Sequence, residues 1–295
     1  MAADLWRASP AARAVFERAD AVLGYALTEV CFEGPEERLR DTYYAQPAIL
    51  TASLACLAAA LESGRVRQRP AFVAGHSVGE YAALIAAAAL SFEDGLTLVQ
   101  ERACLMRAAN EANPGTMAAI LGADEATVAE LCAEAGASVC NRNLPSQTVI
   151  GGSFAAVTRA IELAKQRGLR AIPLNVGGAF HSPLMASAVT GLREAARRAA
   201  VESPRVPVVS NVSATVLTTP DAIRDELPLQ VVSPVRWHES IQLMSEAGVS
   251  QFIELGPGRV LTGLVKRLVS GSDLVNISCL ADVTALSDSP VRTSA

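Results

Sequence analysis

The segment from Ala71 to Leu90 restricts the possible folds of this chain more than any other. An apolar run ends at Gly75, and Ser77 and Gly79 follow before an alanine-rich stretch. This order predicts a strand, a sharp turn and a helix, with Gly75-x-Ser77-x-Gly79 on the turn. A serine on such a turn has a strained backbone, so its neighbours must be small enough for strand and helix to approach each other. Its hydroxyl would lie above the N-terminus of the helix, whose backbone N–H groups face a developing anion.

Ser77 is therefore the best nucleophile candidate in the chain. The alternative is a chance occurrence of this short motif in a protein rich in glycine and alanine, and the motif alone leaves that alternative open.

Composition excludes several other classes of protein. The 295 residues suit one large α/β unit that carries an insertion. The net charge is −5 and the basic residues form no cluster, which argues against a nucleic-acid or anionic-membrane surface. The N-terminus lacks the pattern of a signal peptide, and the longest apolar run, residues 81–90, is shorter than the ~20 residues that cross a bilayer. The six cysteines show no paired spacing, which predicts free thiols in a reducing cytoplasm.

The order of the elements predicts two domains. Residues 116–175 show the pattern β-α-β-β-α-β, which is the ferredoxin-like order and indicates a small inserted α+β subdomain. Residues 1–115 and 176–295 would form the large domain, hydrolase-like in its parallel-type sheet and serine elbow. In it we expect helices over residues 10–23 and 42–61, the second interrupted near Gln46-Pro47, and a tail that frays from Ser270.

A serine needs a base to act as a nucleophile near neutral pH, and the chain has only three histidines. His76 neighbours Ser77 on the elbow and should point away from it, which favours a role in fixing the turn. His238 follows Trp237 in a polar segment. His181 lies in a Gly-rich loop that enters a helix, where its side chain could reach over the sheet edge, so it is the better candidate base. No acid stands out as its partner, and a backbone carbonyl could orient it instead.

Arg102 is the remaining charge of interest, because it lies among apolar residues of a helix. An arginine fork binds a carboxylate at two points. The alternative, an exposed arginine paired with Glu101 or solvent, stays open.

Several separate blocks together resemble one family, the malonyl-CoA:acyl-carrier-protein transacylases and the acyltransferase domains of fatty-acid and polyketide synthases. The resemblance covers nearly the whole chain. The blocks that carry it are residues 75–81, 102–106, 141–147, 178–185, 233–237 and 254–258.

The resemblance implies roles for particular residues. Ser77 is similar to the acylated nucleophile of the family and His181 to its base, and Val78 to the residue whose N–H lines the oxyanion hole. Gln230 matches a position whose backbone carbonyl holds the histidine.

Two further positions match residues that bind the substrate. Arg102 matches the arginine that grips the free carboxylate of a malonyl group. Phe180 matches the pattern associated with malonyl rather than methylmalonyl selection. Asn143 lies where the family shapes its cleft and is assigned no chemistry.

Family members usually begin with a strand and a Gly-Gln-Gly-Ser-Gln-like loop, ahead of the segment matched here by residues 4–6. The glutamine of that loop supplies the second N–H of the oxyanion hole. We therefore expect the functional start to lie before Met1; the alternative is a naturally shortened, weak or inactive paralogue.

The function implied by the resemblance is ping-pong transfer of a malonyl group from malonyl-CoA to the phosphopantetheine thiol of acyl carrier protein. No metal and no redox cofactor is expected, nor any nucleic-acid or membrane partner, and the chain is expected to act as a monomer. Two alternatives remain: an acyl-thioester hydrolase, and a non-catalytic paralogue that binds carrier protein. The sequence does not distinguish fatty-acid from polyketide synthesis.

Overall fold

The computed structural model describes residues 1–66 and 69–286. Residues 67–68 and 287–295, the latter within the predicted tail, lie outside the described part of the chain. The helices are α1 Ala3–Ala8, α2 Pro10–Leu23, α3 Leu27–Glu33, α4 Glu36–Arg40, α5 Thr42–Glu62, α6 Gly79–Ala86, α7 Phe92–Ala112, α8 Glu125–Ala135, α9 Phe154–Gln166, α10 Ala188–Arg198, α11 Pro220–Gln230, α12 Trp237–Glu246, α13 Val260–Leu268 and α14 Leu280–Ala285. The strands are β1 Thr116–Leu121, β2 Ser138–Leu144, β3 Gln147–Gly152, β4 Arg170–Pro173, β5 Val208–Val209, β6 Val216–Leu217, β7 Gln251–Leu255 and β8 Asp273–Ile277.

Side-chain caps define the starts of several helices. The Ser9 hydroxyl accepts a hydrogen bond from the Ala12 N–H at 3.0 Å at the start of α2, and Gly24 ends that helix with φ +71°. The Ser91 hydroxyl accepts from the Asp94 N–H at 2.9 Å at the start of α7. Each cap satisfies a backbone group that the helix itself leaves unpaired.

The predicted interruption at Gln46-Pro47 is wrong, because α5 runs through it without a break. Pro47 is the sixth residue of the helix, and its fixed φ is compatible with helical geometry. By length and composition alone α5 could cross a membrane, but most of it is buried inside the protein, where it packs on α2 and α7. It is the central helix of the main core, which contains mostly alanine and leucine.

Residues 116–173 fold as a four-stranded antiparallel sheet in the order β2-β3-β1-β4, with α8 and α9 packed on it. Strands β1 and β3 are paired over their full length, from Thr116 opposite Gly152 to Leu121 opposite Gln147. The predicted β-α-β-β-α-β order of this segment is the order observed.

The remainder of the described chain contains short parallel pairings. Strand β7 pairs with β8 in parallel, and Val73 makes a parallel bridge to Val208. Val73 and Ile253, which lies on β7, pack on the main core formed by α2, α5 and α7. The neighbouring Phe72 packs instead on a second cluster, formed by α12 and α13. The alternation of side chains along these strands thus separates two helical layers, which is the α/β arrangement.

The prediction that the chain frays from Ser270 is wrong for the described residues. Strand β8 pairs with β7, and α14 follows it. The Asp282 carboxylate accepts hydrogen bonds from the N–H groups of Ser278 and Cys279, and Asp4 accepts from the Leu280 N–H at 2.7 Å. These local bonds of Asp282, together with the distant partners Asp4 and β7, order a segment whose polar composition alone predicts a loop.

The two glycines of the elbow differ in what they contact, which gives a direct test of this fold. A Cβ at Gly75 would lie 2.0 Å from the carbonyl carbon and oxygen of Gly79, whereas a Cβ at Gly79 meets no heavy atom within 4 Å. We expect Gly75→Ala to prevent folding or to lower the free energy of unfolding by more than about 4 kcal/mol, because two backbones collide. Gly79→Ala, the matched control, should change it by less than about 1 kcal/mol. Denaturant unfolding measures both, and equal effects would contradict the close approach.

Candidate active site

The turn that carries Ser77 is held in a strained conformation by a residue far away in the sequence. Ser77 has φ +54°, in the left-handed region that non-glycine residues rarely adopt. Its N–H donates to the Asn211 side-chain oxygen at 2.7 Å, and the Asn211 amide nitrogen donates to the Gly75 carbonyl at 2.8 Å. Asn211 thus joins the two sides of the turn and satisfies backbone groups that the strain exposes.

His181 is in hydrogen-bond contact with Ser77. Its Nε2 lies 2.7 Å from the Ser77 Oγ, and its Nδ1 lies 2.8 Å from the backbone carbonyl of Gln230, the last residue of α11. A carbonyl oxygen only accepts, so Nδ1 carries the proton and the Nε2 lone pair faces the serine hydroxyl. The geometry is that of a nucleophile, its base and an uncharged group that orients the base.

The environment of His181 keeps its imidazole neutral. The side chain is buried, and burial together with the nearby Arg102 guanidinium lowers its pKa from 6.5 to about 3. Both causes disfavour the imidazolium form. The ring is therefore available to accept a proton across the whole physiological pH range.

Arg102 is buried, with 1% of its surface exposed, which rules out an exposed arginine paired with Glu101. Glu101 instead pairs with Arg198. One terminal nitrogen of Arg102 donates to the Ser77 Oγ at 3.0 Å and to the Gln230 side-chain oxygen at 3.0 Å. The other donates to the Gln46 side-chain oxygen.

All these partners of Arg102 are neutral. Within residues 1–66 and 69–286 no carboxylate forms an ion pair with it, and its buried Nε has no hydrogen-bond partner. A buried cation without an anion beside it favours the binding of a ligand that supplies one. The site thus combines a serine hydroxyl with a neutral imidazole and a positive charge, both in hydrogen-bond contact with that hydroxyl.

The side chain of Gln230 is as important to the geometry as its carbonyl. Its amide nitrogen donates to the Ser77 carbonyl at 3.1 Å and to the Glu80 carboxyl group, and its amide oxygen accepts from Arg102. Sequence reasoning identified only the backbone carbonyl of this residue, and it missed Gln46, Glu80 and Asn211 altogether. The one signal in the sequence was Glu80, a charged residue at the start of an otherwise apolar helix.

The remaining predicted residues occupy distinct positions. The Val78 N–H, at the N-cap of α6, has no hydrogen-bond acceptor in the described part of the chain. Phe180 is partly buried and packs between a cluster that contains Met106 and another that contains Met117.

The two other histidines lie away from the serine hydroxyl. His76 bonds through Nε2 to the Asn143 side-chain oxygen at 3.0 Å and packs on Trp237, and His238 lies on α12. Among the described residues, no group of three or more His, Cys, Asp or Glu side chains could hold a metal ion.

Comparison with known proteins places this geometry in a family. The family model described as the acyl transferase domain matches residues 1–281. The chain belongs to the acyl transferase domain family.

Several relatives are named for the same activity. The chain is 46% identical over 274 residues to the malonyl CoA-acyl carrier protein transacylase of Bacillus subtilis (strain 168), with 91% of this chain and 86% of that protein covered. It superposes on the malonyl CoA-acyl carrier protein transacylase of Coxiella burnetii with a TM-score of 0.91 and 36% identity, over 96% of this chain and 90% of the other. It also superposes on a malonyl-transacylase solved with its type II polyketide acyl-carrier protein, with a TM-score of 0.90 and 38% identity, over 96% and 93% of the chains.

The lowered pKa of His181 predicts an unusual pH dependence for the reactivity of Ser77. Because its pKa is about 3, the imidazole stays unprotonated as the pH falls through 6.5. We expect kcat/KM for the reaction of Ser77 with a neutral activated ester to be nearly constant from about pH 8 to about pH 5, since this parameter reports the free enzyme. A loss of half the rate near pH 6.5, the ordinary histidine value, would contradict the environment described here.

Proposed function

We propose that the chain transfers a malonyl group from CoA to the phosphopantetheine thiol of acyl carrier protein through an acyl-serine intermediate. The observation that carries this proposal is the buried Arg102, which has only neutral partners and donates to the Ser77 hydroxyl. Malonyl thioesters differ from simple acyl thioesters in their free carboxylate, which is the partner that a buried guanidinium lacks. The names of the relatives support the same substrate.

In the first half of the reaction, Ser77 Oγ attacks the thioester carbonyl while its proton passes to His181 Nε2. The Val78 N–H, at the N-terminus of α6, would donate to the oxyanion. When the C–S bond breaks, the CoA sulfur takes the proton from His181, and the malonyl group remains as an ester on Ser77.

In the second half, the phosphopantetheine thiol gives its proton to His181 and its sulfur attacks the ester carbonyl. Ser77 Oγ leaves and regains that proton, so each half-reaction returns His181 to its neutral form. The Gln230 carbonyl keeps Nδ1 protonated throughout, which preserves the reactive lone pair on Nε2. Acyl transfer of this kind consumes no redox equivalent, and we expect no metal or redox cofactor.

Two proposals refine the fold and the setting. Residues 116–175 would be a ferredoxin-like subdomain inserted into a hydrolase-like domain of residues 1–115 and 176–295, which the order β2-β3-β1-β4 supports. The protein would act in a reducing cytoplasm, which the six unpaired cysteines support.

A third proposal concerns the choice of substrate. Phe180, which precedes His181 in the sequence, would select a malonyl group over a methylmalonyl group.

Removal of the nucleophile tests the covalent intermediate. We expect Ser77→Ala to form no acyl-enzyme with radiolabelled malonyl-CoA, because the elbow offers no second hydroxyl at this position. The measurement is retained label after denaturation and gel filtration. Label that still co-migrates with the Ser77→Ala variant would show that another residue is acylated.

Removal of the guanidinium tests the selection of the substrate. A hydrogen bond to a charged group is typically worth about 1.5–3 kcal/mol, or roughly ten- to a hundredfold, so Arg102→Ala should lower the malonyl-to-acetyl preference by that factor. The measurement is kcat/KM for both CoA thioesters.

The matched control for that variant is Arg107→Ala, on the same helix. Arg107 is half-exposed and pairs with Asp41 and Glu111 instead of the site. It should leave the preference unchanged. An unaltered preference in Arg102→Ala would remove the proposed role, whereas rapid release of malonate to water by the wild type would favour the hydrolase.

A further inference from the structure

Two carboxyl groups that the reaction does not use lie buried beneath the catalytic residues. Glu80, in the first turn of α6, is fully buried, and Glu226, on α11, is 6% exposed. Their carboxyl groups are close enough for each to influence the pKa of the other. Buried acids are costly unless they are well bonded, so a pair retained here calls for a function.

Each oxygen of Glu80 accepts a hydrogen bond from a residue that holds the site. One oxygen accepts from the Asn211 backbone N–H at 2.9 Å, and the other accepts from the Gln230 side-chain nitrogen. Glu226 bonds the next residue of the same loop, accepting from the Val212 N–H at 2.9 Å. Glu80 is therefore bonded both to the loop that holds the elbow and to the helix end that holds His181.

The contact between Glu80 and Gln230 determines which way the side-chain amide of Gln230 points. Arg102 can only donate, so it needs the amide oxygen, and the amide nitrogen must then find acceptors on the other side. Those acceptors are the Ser77 carbonyl and Glu80. If the acceptor at Glu80 were lost, the amide could turn and present N–H groups to the guanidinium.

The contact with Asn211 acts on the serine turn. The backbone of Asn211 is fixed by Glu80, and its side chain bonds the Ser77 N–H and the Gly75 carbonyl. The strained φ of Ser77 is thus supported through Asn211 by the same carboxyl group that orients Gln230.

We propose that Glu80 is a positioning residue: its two acceptor oxygens fix Gln230 and Asn211, and through them the mutual placement of Ser77, His181 and Arg102. The inference rests on the proposed catalytic roles of Ser77 and His181. It explains why a carboxyl group occupies the start of an apolar helix: the two donors bond to different oxygens of Glu80, and a glutamine would place an NH2 donor opposite one of them.

The electrostatics of the pair are consistent with this role. Burial and the adjacent Glu226 raise the pKa of Glu80 well above its usual value, and burial also raises the pKa of Glu226. Like charges close together disfavour the ionisation of both groups, so the pair favours a form with a single negative charge. The Gln230 amide joins Glu80 to Arg102, with which no carboxylate of the described residues forms an ion pair, and this leaves the guanidinium free for a substrate carboxylate.

The test compares Glu80→Gln and Glu80→Asp with Glu254→Gln. Glu254 is a matched control because its carboxylate also bonds several groups, the N–H groups of Leu261 and Thr262 among them, and bonds no residue of the site. Three measurements are made on each protein: the rate of Ser77 acylation by malonyl-CoA and by acetyl-CoA, the ¹⁵N NMR signals of the histidines, and thermal unfolding. With only three histidines, the His181 signal is assigned by its loss in His181→Ala.

We expect Glu80→Gln to acylate at least about tenfold more slowly, to lose malonyl preference and to show a reduced Nδ1–H population at His181, because one buried hydrogen bond is worth about that factor. Glu80→Asp, which keeps two oxygens on a shorter side chain, should lie between it and the wild type. Glu254→Gln should lower the melting temperature and change neither the acylation rate nor the His181 signal.

Wild-type acylation and a wild-type His181 signal in Glu80→Gln would overturn the proposal, as would equal slowing in Glu254→Gln. If Glu80→Gln does not fold, Glu80→Asp decides on the same two readouts. The NMR signal needs no substrate, so a failure of malonyl-CoA to acylate even the wild type would count against the proposed function and leave the role of Glu80 testable.

Discussion

The close approach of Gly75 to Gly79 is the constraint on which the site depends. It forces Ser77 into a positive φ and projects its hydroxyl from the turn, where groups from distant parts of the chain meet it. His181 comes from the loop after the four-stranded subdomain, Arg102 from α7, and the carbonyl that orients the base from the end of α11. A bulkier residue at position 75 would separate strand and helix and disperse these partners.

The electrostatics of the site follow from the burial of the Arg102 charge without a carboxylate beside it. Arg102 is enclosed by glutamine oxygens, a serine hydroxyl and the ring of Tyr81, none of which carries a formal charge. Together with burial, the same cation lowers the pKa of His181, so one residue both provides a positive charge beside the Ser77 hydroxyl and helps to keep the imidazole neutral. The two functions are coupled because both depend on the exclusion of water around the guanidinium.

Sequence reasoning identified the elements that local patterns determine and missed those that distant contacts determine. Local patterns predicted α2 and the order of strands and helices within residues 116–175, and the elbow motif predicted Ser77. Strand β8 was missed because its order depends on pairing with β7. Gln46, Glu80 and Asn211 were missed because each acts through partners far away in the chain, and nothing in a single sequence pairs a glutamine on α5 with an arginine on α7.

The hydrogen bonds that run from Arg102 through Gln230 to Glu80 have a single direction, because the first group only donates and the last provides acceptors. A relative that used an uncharged acyl group would gain little by replacing the arginine alone, since two amide oxygens would then be left buried and unpaired. Such a change of substrate requires positions 46, 102 and 230 to change together. The number of substitutions that separates a pocket for a charged acyl group from one for an apolar acyl group therefore depends on how many residues share these hydrogen bonds, more than on the size of the pocket.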